Sequence, residues 1–138
     1  MSVMAAAAGL TLLTLPAAAD TMTFKAPLSA SEEVAAEPEQ RNGEYRGAYD
    51  TSSKKLSCKG SYSVLTGSVT AAHFHGPAEK GKNAGVAAPV DAAKSLFEGS
   101  ATLTDAQAGD LTKGDWYFKV HTAENKGGEI RGQMTKGP

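Results

Sequence analysis

The chain carries three histidines, and their positions suit joint chemistry. His73 and His75 form the triplet His-Phe-His, and His121 ends the run WYFKVH. On a β-strand, residues i and i+2 point to the same face, about 6.6 Å apart at Cα. Two imidazoles so spaced can converge on one ion while Phe74 packs into the opposite face. His121 shares a strand face with Tyr117 and Lys119. If the two strands are neighbours, or meet at the rim of a sandwich, all three rings can meet. A three-histidine set is a zinc arrangement, and imidazole also suits copper. The Irving–Williams order places Cu²⁺ ahead of the other divalent first-row ions, so copper is the first expectation and zinc the second. Candidates for a fourth ligand are Glu129, Asp115 and Glu124, with water or backbone as alternatives. The structural alternative is that these histidines cap turns or hydrogen-bond across strands.

Other chemistries find less support. The 138 residues (14.2 kDa) make one domain. A net charge of −1 offers no basic footprint for nucleic acid. A single cysteine, Cys58, excludes a thiolate zinc cluster or a disulfide within the chain. In an alternating strand pattern Cys58 reads as a small buried hydrophobe; an intermolecular disulfide or a soft metal ligand are the alternatives. No Gly-x-Ser-x-Gly elbow is present. Glu32, Glu33 and Glu37 read as a solvated acidic surface. Trp116, Tyr117 and Phe118 read as core and rim packing. Glu129 and Arg131 share a strand face and are expected to pair, either as an exposed salt bridge worth little or as a buried pair that fixes the last hairpin. Binding is therefore favoured over catalysis, and no catalytic residue is assigned.

The elements that must position these residues are short strands. Residues 1–19 are uncharged and largely apolar, too short to span a bilayer, and end in Ala17-x-Ala19. This reads as a secretory signal peptide, although no Lys or Arg precedes Lys25. The expectation is a mature domain over 20–138, periplasmic or secreted, without a membrane span. Within it, 21–26 reads as a strand and 29–41 as a loop. Strands 43–50 and 55–65 alternate with period 2 and form a hairpin. Tyr45, Gly47 and Tyr49 share one face; so do Leu56, Cys58, Gly60, Tyr62 and Val64, with the opposite side wet. Residues 68–75 form a strand ended by Gly76-Pro77, and 78–88 a loop. Residues 86–96 are ambiguous, and 101–103 read as a strand end. Thr104 with Gln107 has capping-box spacing for a helix closed by Gly114. Strands 116–121 and 129–134 follow. The sum is an all-β domain, a small antiparallel β-sandwich or partly closed Greek-key barrel with one short helix.

The same segments carry a family resemblance. Ala71-Ala72-His73-Phe74-His75-Gly76-Pro77-Ala78, with His121-Thr122 and Gly128-Glu129-Ile130-Arg131-Gly132-Gln133, resembles the CHRD domain, the module named after chordin and found in bacterial exported proteins. Leu28-Ser29-Ala30-Ser31-Glu32-Glu33-Val34 is similar to the family's opening motif, and Leu111-x-x-Gly114 also fits. The chain departs at Ala35-Ala36, where Pro is usual, and at Asn125-Lys126-Gly127, where Asn-Pro usually precedes the Gly-Glu pair. In chordin-like animal proteins the domain accompanies growth-factor-binding modules. That implies an alternative role as a non-catalytic protein-binding or adhesion module, with another extracytoplasmic protein as partner. The histidine layout is also similar to the copper ligands of Cu,Zn superoxide dismutases, a further alternative. Those enzymes use a fourth histidine at copper, which this chain lacks.

Overall fold

The computed structural model describes residues 20–33, 42–91 and 95–137. The leader read over 1–19 and Glu37 lie outside them. Nine strands form one antiparallel sheet: β1 (Thr21–Ser29), β2 (Asn42–Asp50), β3 (Lys55–Ser63), β4 (Val69–His75), β5 (Val86–Val90), β6 (Phe97–Thr102), β7 (Tyr117–Thr122), β8 (Ile130–Gln133) and β9 (Thr135–Lys136). The spatial order is β5-β4-β7-β8-β1-β2-β3-β6, with β9 beside β1. The sheet curls until its edge strands approach, Val90 of β5 lying against Gly99 of β6. The fold is thus all-β, as expected, and takes the form of a nearly closed barrel.

Period-2 alternation explains the interior. Phe24, Ala26 and Leu28 of β1 meet Tyr45 and Tyr49 of β2, Leu56 and Cys58 of β3, Phe74 of β4, Phe97 of β6 and Phe118 and Val120 of β7. The rings of Tyr45 and Phe97 lie 5.1 and 5.3 Å from that of Phe118, and Phe74 bridges Phe118 and Trp116 at 5.4 and 5.5 Å. Such spacings are those of favourable aromatic pairs. Cys58 belongs to this core, and burial pushes its thiol up to about 11. It is a packed hydrophobe on the inner face, turned away from the histidines.

The helix forms where its cap predicts. α1 (Asp105–Lys113) starts at Thr104, whose hydroxyl accepts from the Gln107 N–H while the Gln107 side chain accepts from the Thr104 N–H. Gly114 closes it in the left-handed conformation. Two other expectations need correction. β3 ends at Ser63, and Val64 is 73% exposed with φ of 58°, because the β2 ladder stops at Asn42↔Ser63 and the chain turns away. The loop read over 78–88 stops at Gly85, because Val86–Val90 pairs with β4 as an edge strand, β5, which resolves the start of the ambiguous stretch 86–96.

The barrel seam between β1 and β8 depends on a glycine. These strands pair at Ser29↔Arg131, and a Cβ on Gly132 would strike the Pro27 carbonyl and meet Leu28 Cδ2 at 3.0 Å. The obstacle is backbone and cannot rotate aside. Gly132→Ala is expected to destabilise the domain by about 1–3 kcal/mol, the usual cost of overpacking. Chemical denaturation measures it; an unchanged midpoint would show that the seam relaxes freely.

Candidate metal centre

The strands that carry the histidines are neighbours. β4 and β7 pair antiparallel with Ala71↔His121, His73↔Lys119 and His75↔Tyr117 in register. His73, His75 and His121 therefore share the outer face of the barrel, with His121 diagonal to His73. One ring nitrogen from each lies within 4.8 Å of the other two. The ring centroids are 5.5 Å apart for His73–His75, 5.0 Å for His73–His121 and 5.6 Å for His75–His121.

Hydrogen bonds orient two of the rings. His75 Nδ1 lies 3.0 Å from the Ala84 carbonyl oxygen, and His121 Nδ1 lies 2.8 Å from that of Lys126. A carbonyl only accepts, so both Nδ1 atoms carry the proton and donate. In the neutral rings both Nε2 atoms then present bare lone pairs, and these face each other at 3.4 Å. Two lone pairs at that distance repel unless a proton or a cation lies between them. Ligand atoms around a tetrahedral ion with bonds of about 2.0–2.1 Å stand about 3.3–3.4 Å apart. His73 Nδ1 is buried and has no hydrogen-bond partner among the described residues.

Electrostatics keeps the rings neutral. Burial is the main cause holding His75 down at about 4. The Ala84 bond opposes it, and the charges of His121, Lys119 and His73 push in the same direction. His121 is lowered by burial, against its bond to Lys126, with His73 and Lys119 adding to the effect. His73 is lowered by burial. Neutral imidazole is the form a metal ion takes, so no proton must be displaced at neutral pH.

The polar face of β7 beside the histidines is not wet. Tyr117 and Lys119 are buried because the β4–β5 loop, residues 76–85, folds over the outside of β7 and β8. Arg131 donates to Asn83 Oδ1 at 3.2 Å and to the Glu79 carbonyl at 3.3 Å, and Gln133 donates to the Ala78 carbonyl at 2.8 Å. Lys119 pairs with Glu33 at 3.1 Å and donates to the Gly127 carbonyl at 3.0 Å. Glu33, its side chain 9% exposed, is thus the ion-pair partner of Lys119 and not part of a solvated acidic run. Gly128, at φ of 124°, lets this pair approach; a Cβ there would meet Lys119 Cδ at 2.5 Å and Glu33 Oε1 at 2.6 Å.

The expected Glu129–Arg131 pair also fails to form. Both side chains are buried, but they serve different loops. Glu129 precedes β8 and accepts from the Thr66 N–H (2.9 Å to Oε2), the Thr66 hydroxyl, Thr122 Oγ1 (3.1 Å) and Asn125 Nδ2 (3.1 Å). With its oxygens so engaged, Glu129 is not a fourth ligand. Neither Asp115 nor Glu124 joins the histidine cluster among the described residues. The sequence reading missed the orienting carbonyls of Ala84 and Lys126, since backbone groups leave no mark in composition. It also missed that Lys119 is buried, and that Tyr117 and Arg131, read as packing and as an ion-pair member, hold the loop over this face. Their signal was there: large polar side chains repeat along one face of β7 and β8.

No curated protein and no solved structure matches the chain at a significant level. The family model for the CHRD domain matches residues 24–134, from the first core aromatic of β1 to the last core residue after β8, with all three histidines inside the match. This chain is a member of the CHRD domain family.

Proposed function

We propose that this CHRD domain binds one transition-metal ion through His73, His75 and His121, and that it acts in metal binding or handling. The observation that carries the reading is the His75–His121 pair. Each ring spends its Nδ1 proton on a carbonyl, leaving two unprotonated Nε2 atoms 3.4 Å apart. Copper is the proposed ion, with zinc second, because three neutral imidazoles and no carboxylate or thiolate make a nitrogen-only set that follows the Irving–Williams order. The fourth position falls to water or an external ligand. The leader read over residues 1–19 supports a periplasmic or secreted location, where such an ion would be met. Among the described residues no helix is long and apolar enough to cross a membrane.

Titration of the purified, chelator-treated protein tests this. Expected is one copper per chain, with nitrogen hyperfine structure from directly bound imidazole in the Cu²⁺ EPR spectrum, and weaker zinc binding that copper displaces. Copper retained only in sub-stoichiometric amounts after desalting, or a spectrum without nitrogen ligands, would sink the proposal.

A further inference from the structure

One residue beside the histidines makes contacts that its packing alone does not require. Tyr117 lies opposite His75 in the β4–β7 register, and the two rings stack with centroids 5.0 Å apart and planes within 6°. The Tyr117 hydroxyl accepts from the Ala84 N–H at 2.8 Å and donates to the Ala84 carbonyl at 3.1 Å. That same carbonyl accepts from His75 Nδ1 at 3.0 Å. One phenol therefore grips both polar groups of the residue that orients the histidine. From β8, the Arg131 guanidinium sits 3.5 Å from the Tyr117 ring centroid and reaches Asn83, the residue before Ala84.

We propose that Tyr117 is a positioning residue for the metal centre: by holding the Ala84 peptide it fixes His75 as the Nδ1–H tautomer and aims its Nε2 at His121. The inference rests on the metal reading for its consequence, but the tautomer is a property of the metal-free chain. Without the hydroxyl, Ala84 loses two contacts and its carbonyl is free to leave Nδ1. His75 can then turn or take the Nε2–H tautomer, which has no lone pair to offer at the centre. Outer hydrogen bonds to ligating histidines typically carry 10–100-fold in metal affinity.

The test is Tyr117→Phe, which keeps the stacked ring and removes only the hydroxyl. Long-range ¹⁵N–¹H NMR of the metal-free protein near neutral pH assigns the tautomer of each histidine. Expected in wild type are Nδ1–H tautomers for His75 and His121. In Tyr117→Phe, His75 alone shifts toward Nε2–H or a mixture, and copper affinity falls 10–100-fold. A barrel that is merely loosened would move the His121 signals as well. An unchanged His75 tautomer in Tyr117→Phe overturns the proposal whatever copper does. So does an Nε2–H tautomer at His75 in wild type, a result that needs no variant to fold. If the tautomer responds but wild type takes up no copper, the positioning role stands and the metal reading fails.

Discussion

His121→Ala is expected to abolish stoichiometric copper binding while leaving the barrel folded. His121 is half-buried at the end of β7 and contributes no atom to the hydrophobic interior. The substitution removes its hydrogen bond to the Lys126 carbonyl, a loss of about 1 kcal/mol. It also removes one of the two Nε2 atoms of the facing pair, so His73 and His75 are left as a two-point site. Affinity should fall at least about 100-fold, beyond the upper end of what losing an outer hydrogen bond costs. Thermal unfolding gives a second readout. A ligand that binds only the folded state at 100 times its Kd stabilises it by about 2.7 kcal/mol. Copper should therefore raise the melting temperature of wild type and leave that of His121→Ala where it was. Cys58→Ser, altered on the barrel's inner face, should bind copper as wild type does. Copper binding by His121→Ala at wild-type affinity would remove His121 from the site and contradict the three-histidine centre.

The parts of this centre that were legible in the sequence are those written in local periodicity. Alternation placed Phe74 inside and His73 and His75 outside, and the side chains of residues 116–121 divide as expected into Trp116, Phe118, Val120 and Tyr117, Lys119, His121. The Thr104–Gln107 cap and Gly114 stop are contacts within one turn, so a short motif was enough to find them. The remainder depends on segments far apart in the chain. Nothing near Glu129 shows that its partner is Thr66, because that contact exists only once β4 and β7 pair and bring the segment before β4 beside the turn after β7. The burial of Lys119 and Tyr117 likewise comes from loop 76–85, whose Gly, Asn and Lys content reads as ordinary solvent-exposed turn. The rule that polar strand faces are wet failed here because that loop and Glu33 cover this one. Spacing and strand position located the candidate ligands; the tautomers of His75 and His121 come from the Ala84 and Lys126 carbonyls, and the lowered pKa of all three rings from burial.

Glu129 carries the second large expected effect, on stability. The residue is 2% exposed, yet its carboxylate accepts from four donor groups on Thr66, Thr122 and Asn125. Burial alone would raise its pKa, but the hydrogen bonds from Thr66, Asn125 and Thr122 together outweigh it and hold the group below 4.5. Because the folded pKa is depressed, the stability this gives is fully present above the unfolded value and is lost as pH falls through the folded one. Glu129→Gln keeps the shape, removes the charge and turns an amide N–H₂ toward groups that are themselves donors. Hydrogen bonds to a charged group are worth about 1.5–3 kcal/mol, and unpaired buried donors add to the loss. The variant should be about 2–4 kcal/mol less stable near pH 7. On acidification below pH 4.5 wild type should lose this advantage while the variant has none to lose, so their denaturation midpoints converge. Parallel midpoints across that range would contradict the assigned charge state. Copper binding should weaken too, by a route distinct from the Tyr117 hydroxyl. Asn125, held by Glu129, accepts from the Thr122 and Gly128 N–H groups and so shapes the turn whose next residue, Lys126, orients His121. A destabilised variant that still bound copper with wild-type affinity would show that the turn keeps its shape without the carboxylate, and would confine the role of Glu129 to the fold.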